Sequence, residues 1–133
     1  MLRAVIALAL LASACGSDPE EAEPPCVALP AECPDVLPPE YPRLYSAIFQ
    51  GSCSQANGTC HGSIERQGGL DLSDIDRGYT LLLERVEKGN PSCSKLVVRT
   101  HSIGKPWQMP PGAPLEAFEL CAIREWIETG APR

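Results

Sequence analysis

The sequence predicts an all-α domain behind an extended acidic tether, on three observations. Apolar residues recur at one-, three- and four-residue steps, the spacing that gives a helix one buried face. Strand signals are scarce, since Leu96-Val97-Val98 is the only β-branched run and it lies beside turn residues. Prolines and acids collect upstream: residues 16–42 hold eight of the fourteen prolines, with seven acids and no Lys or Arg.

The first predicted helix spans about Pro42 to Phe49, with Leu44, Tyr45, Ile48 and Phe49 on one face. Ser73 is the expected N-cap of a second, with Asp76 three residues on and Ile75, Tyr79, Leu82, Leu83 and Val86 as its stripe. Gly89-Asn90-Pro91 is the expected stop. A short helical stretch is expected over Lys95–Arg99. In the last helix Leu115, Phe118, Ala122, Ile123, Trp126 and Ile127 share a face, and Gly130-Ala131-Pro132 ends it.

Residues 41–133 form a single domain of 93 residues with ten basic side chains (the chain's eleven less Arg3) and ten acids (its seventeen less the seven upstream). The net charge of −6 therefore belongs mostly to the tether, residues 15–40, which is too polar and proline-rich to form a core. Neither part carries the basic surface that nucleic acid or anionic lipid requires.

Residues 1–14 read as a signal peptide: Arg3, an apolar run from Ala4 to Leu11, then small residues before Cys15. Leu11-Ala12-Ser13-Ala14-Cys15 resembles a lipobox, with Ala12 where Leu is commoner. That resemblance implies an exported chain, lipidated on Cys15 and anchored to a bacterial membrane, facing the periplasm or the cell surface. Gly16, not Asp, after the cysteine points to the outer membrane. No later segment is apolar for long enough to span a bilayer.

Six further cysteines in an exported chain imply oxidised or otherwise blocked thiols. Cys60-His61 is the step that points to chemistry. A thiol that adds across a haem vinyl group, followed at once by an imidazole, places the axial ligand as it attaches the cofactor. From Tyr41 onward the chain resembles a bacterial c-type cytochrome domain. Its matching pieces, in family order, are Tyr45-Ser46-Ala47-Ile48-Phe49, the Cys-His step, Gly69-Leu70-Asp71-Leu72, Met109-Pro110-Pro111-Gly112 and the closing Trp126-Ile127-Glu128-Thr129-Gly130-Ala131-Pro132. The resemblance implies that the first and last helices pack together around one covalent haem c, with Cys53 and Cys60 as thioethers, His61 as proximal ligand and Met109 as distal ligand.

One feature departs from the family, whose attachment motif has two residues between its cysteines where Cys53 and Cys60 have six. Three states follow: two thioethers, one thioether through Cys60, or a Cys53–Cys60 disulfide and no haem. Parity disfavours the single thioether, which strands one thiol. Cys26, Cys33, Cys93 and Cys121 are the disulfide candidates. Cys93 is expected to pair with Cys121, while Cys26 and Cys33 close a small loop or reach back to the domain.

His101 is either the distal ligand in place of Met109 or an exposed loop residue, and Trp107 either flanks the haem or packs a loop. Zinc at Cys53, Cys60 and His61 is disfavoured, because adjacent Cys and His rarely reach one tetrahedral ion. No nucleophile elbow, phosphate loop or paired-histidine motif is present, so no enzyme activity is expected. The expected function is single-electron transfer with redox partner proteins of the envelope. The alternative is a haem-free, disulfide-stapled binding or structural module.

Overall fold

The computed structural model describes residues 22–34, 37–54 and 60–133. The expected signal peptide, the expected lipidation site Cys15 and residues 55–59 of the Cys53–Cys60 loop lie outside them. The expected all-α class is observed: no strand occurs among the described residues, and the first and last helices pack together. None of the described helices is long and apolar enough to cross a membrane.

Helix α1 (Tyr41–Leu44) opens on Pro42 near its start, where the missing N–H costs nothing. It widens without a break into a π-helical segment, Tyr45–Ser54, five residues longer than the apolar pattern predicts. Wide turns of this kind are rare and recur at functional sites; this one ends beside Cys53. Helix α2 (Ile75–Leu83) is capped by Asp74, not Ser73: the Asp74 carboxylate accepts from the backbone N–H groups of Asp76 and Arg77. Ser73 instead donates its hydroxyl to Asp71 at 2.6 Å. Helix α3 is Lys95–His101.

Helix α4 (Ala117–Glu128) begins with a reciprocal capping box between Glu116 and Glu119. It ends as the sequence predicts. Gly130 takes φ 96° while Gly130 and Ala131 return their N–H groups to the carbonyls of Ile127 and Trp126, the paired bonds of a Schellman cap. Phe118, expected on the buried stripe, is 38% exposed in the first turn of α4, whereas Leu115 just before the helix is buried in the core.

The core is built around Trp126. Its ring lies 5.7 Å from Tyr41 and 6.4 Å from both Phe49 and Tyr79, which joins α4 to α1, the π-helical segment and α2. Each ring of this cluster with a polar tip has a partner: Tyr41 donates to the Ile75 carbonyl, Tyr45 to Leu72, Tyr79 to Ala131 and Trp126 to Pro132. Gly78 lets α2 approach this cluster, since a Cβ there would stand 3.1 Å from the Tyr41 hydroxyl and 3.2 Å from Leu72.

The tether expectation is corrected for residues 22–34 and 37–40. This segment lies along the helical domain as a strap, with Val27, Leu29 and Leu37 partly buried against the core. Disulfides Cys26–Cys93 and Cys33–Cys121 hold it, in place of the expected Cys93–Cys121 pair. An extended chain needs no core of its own when it lies on a finished surface. The entropy of closing a loop also rises only slowly with length, so partners 67 and 88 residues away are nearly as accessible as close ones. In the chain-entropy account each such bridge contributes about 4 kcal/mol.

Two outcomes are expected. Trp126→Ala should lower the unfolding free energy by about 3–5 kcal/mol in chemical denaturation, since three rings lose their common contact. The second concerns Asp71, 2% exposed, whose carboxyl is held down at about 2 by the Ser73 hydroxyl first and the Arg77 guanidinium second. A depressed carboxyl pKa stabilises the fold above the ordinary value of 3.8, and that contribution fades as the pH falls toward 2. The stability gap between wild type and Asp71→Asn should therefore be full at neutral pH and close across that acid range.

Candidate functional site

One cavity of about 560 Å³ opens between the elements and gathers all four residues the sequence singles out for the cofactor, Cys53, Cys60, His61 and Met109. The first helix supplies Phe49, Ser52 and Cys53, and the turn after it supplies Cys60 and His61. Leu70 and Leu72 line a second wall, Leu82 and Arg85 at the end of α2 a third. Lys95, Leu96, Arg99 and Thr100 come from α3, and the Met109-Pro110-Pro111 loop closes the space. The volume lies within the range of small-molecule and cofactor sites, about 300–1,000 Å³.

Backbone bonds fix the Cys-His turn. The N–H of His61 donates to the Cys53 carbonyl at 3.1 Å, which ties the two halves of the loop together. Leu72 N–H donates to the His61 carbonyl at 2.6 Å and Gln67 N–H to Cys60 at 2.9 Å. The ring is fixed as well: Nδ1 lies 2.8 Å from the Gln67 carbonyl, which can only accept, so Nδ1 carries the proton and Nε2 keeps a free lone pair. A ring held this way is the arrangement of a metal-binding histidine, whose second nitrogen donates to a carbonyl or carboxylate. Burial, the largest influence, lowers the His61 pKa, and the nearby Arg85 charge adds to it.

Cys53 and Cys60 are free thiols, while the other four described cysteines are bridged. Burial pushes the Cys53 thiol up to about 12. It is therefore protonated at neutral pH and slow to oxidise or exchange.

The Met109 loop is pinned from two sides. Met109 N–H donates to the Arg99 carbonyl at 2.9 Å. Gln108, 8% exposed, accepts from Gly104 N–H at 2.6 Å and donates to the Pro110 carbonyl at 2.8 Å, bridging the loop across Met109. Nothing in the sequence marks Gln108 or Arg99 for this work. Gln108 sits among turn residues, and Arg99 acts through its main chain.

The other sequence candidates lie elsewhere. His101 does not line the cavity; its Nδ1 faces the Val97 carbonyl at 3.2 Å within α3. Trp107 is buried outside the lining, and its Nε1 has no partner among the described residues. Among the described residues no three His, Cys, Asp or Glu side chains converge as a metal-binding group. Two thiols, an imidazole and a thioether are instead spread around a largely apolar space. Such a donor set fits a large flat cofactor with its own metal better than a bare ion.

No protein-family model, characterised protein or solved structure matches the chain.

The pH response follows from His61. Because its folded pKa lies below the ordinary 6.5, the unfolded chain takes up the proton first, and acidification below that value costs stability. At neutral pH, nitrogen NMR should find His61 in the Nδ1–H form. His61→Gln should shrink the loss of stability between pH 7 and 5; an unchanged loss would assign it to His101 or to the acids.

Proposed function

We propose that the chain is a membrane-tethered c-type haem protein that carries single electrons outside the cytoplasm. The observation that carries the reading is the cavity shared by Cys53, Cys60, His61 and Met109, four residues dispersed over 57 positions of sequence. Haem would supply a one-electron ferric/ferrous couple. Cys53 and Cys60 would hold it by thioethers, with His61 Nε2 and Met109 Sδ as the axial donors. The Gln67 carbonyl keeps the imidazole in the tautomer that offers Nε2. Phe49, Leu70, Leu72, Leu82 and Leu96 exclude water from the cavity, and Arg85 and Lys95 offer positive charge to carboxylates of the group. His61 and Met109 would hold the metal of the group from the protein, an arrangement suited to carrying electrons rather than to binding a substrate at the metal.

Export and lipidation on Cys15, with the outer membrane as the destination, complete the proposal. Redox proteins of the envelope are the partners. The strap changes how far the domain travels. Among the described residues the first one bonded to the domain is Glu23, eight residues after Cys15, and eight extended residues reach at most about 28 Å. A tether free to residue 40 would reach about three times as far. Partners must therefore be met close to the membrane surface.

The test is intact mass and visible spectroscopy of the chain made in a bacterial periplasm with haem-attachment machinery. A mass increased by one haem with sharp reduced bands is expected, and Met109→Leu should keep the haem but lower the potential. A colourless chain, at polypeptide mass less the hydrogens of three disulfides, would instead identify the haem-free module with Cys53 bonded to Cys60.

A further inference from the structure

We infer, on the basis of the haem reading above, that the strap is part of the cofactor site: Glu23 and Arg99 are positioning residues that hold Met109 at the cavity.

Helix α3 has seven residues, well below the roughly 12–15 at which an isolated helix begins to persist in water. The strap clamps it at both ends. Ahead of its first turn, Cys26 is bonded to Cys93, and Val27 N–H donates to the Ser92 carbonyl at 2.9 Å. In its last turn, the Glu23 carboxylate grips Arg99 with two parallel bonds, 2.8 Å to Nε and 2.6 Å to Nη2. This forked geometry is the strongest form of a charged hydrogen bond and fixes the plane of the guanidinium. Both side chains are about two-thirds or more buried, at 30% and 26% exposure, so solvent screens the pair less than a surface one.

Arg99 connects the strap to the ligand loop. Arg99 lines the cavity and its side chain meets Glu23, while its main-chain oxygen accepts the N–H of Met109 at 2.9 Å. Arg85 and Lys95 bring two further positive charges to the same cavity. Arg85 donates to the Leu81 and Gly68 carbonyls and pairs with Glu84, the acid on that wall, at 3.4 Å. Without the Glu23 carboxylate, the Arg99 guanidinium loses the forked acceptor that fixes its plane. The last turn of α3 then frays, and the carbonyl that holds Met109 moves with it. The chain thus ties its anchor-proximal end to the distal ligand, which neither segment reveals alone because 76 residues separate Glu23 from Arg99.

Amide hydrogen exchange on the full chain tests this with or without haem, comparing wild type, Glu23→Gln and Arg99→Gln. Exchange at the Met109 amide should rise about tenfold in Glu23→Gln, and the two changes combined should do little more than one. Amides of the α4 core, from Ala122 to Ile127, should be unchanged. In the haem-loaded chain, Glu23→Gln should shift the equilibrium between bound and released Met109 about tenfold toward release, read as a weaker methionine–iron signature and a lower potential. A Met109 amide as protected in Glu23→Gln as in wild type would overturn the inference, and so would equal acceleration throughout α4. If wild type carries no haem, the haem reading fails on its own, and the Met109 amide still decides whether the strap positions the loop.

Discussion

The packing of Trp126 against Tyr41, Tyr79 and Phe49 is the constraint on which the rest depends. A domain of this size buries too little apolar surface to tolerate a loose centre. Four rings, three of them with paired polar tips, give it one arrangement, because each hydroxyl or indole N–H reaches a single carbonyl. With α1 and α4 held by that cluster, the π-helical segment must carry Cys53 out to the cavity. The Cys60-His61 turn then follows from the bond between His61 N–H and the Cys53 carbonyl. The site is thus suspended from the core at one end. Its other wall, α3 and the Met109 loop, has no such support from rings.

That second wall is secured by covalent and ionic means. Two disulfides close loops across most of the chain, and the Glu23–Arg99 fork adds a charged contact beside them. The division has a physical logic. Helices with a full apolar stripe hold themselves by burial, whereas seven-residue α3 buries Val97 and Val98 but is too short to persist by itself. An oxidising compartment, where such bridges persist, suits this construction.

The donor set around the cavity is also balanced by environment. Burial lowers the His61 pKa and raises that of Cys53, so both shifts favour the neutral form. A neutral imidazole with one nitrogen committed to Gln67 has one direction left in which to offer electrons. The positive charges sit apart on the α2 and α3 walls, with Arg85 and Arg99 held by carbonyls and by Glu23. The cavity lining thus combines apolar side chains with charged residues from the α2 and α3 walls.

Much of this was legible in the sequence. Helical periodicity determined the all-α class and located α2, α3 and α4, and Gly130 determined the end of α4, since one residue there must take positive φ. The Cys-His step and the Met-Pro loop marked residues that the fold brings to one cavity. Local chemistry decided these, so local sequence sufficed. Composition misled for residues 22–40: proline and acid content describe a chain with no core of its own, but say nothing of a surface elsewhere that will receive it. Only the tertiary structure decided the disulfide partners, the choice of Asp74 over Ser73 as the α2 cap, and the union of Glu23, Arg99 and Met109. Each of these depends on which surfaces meet, which for the bridges and the Glu23–Arg99–Met109 union is a property of packing over long sequence distances that no local pattern encodes.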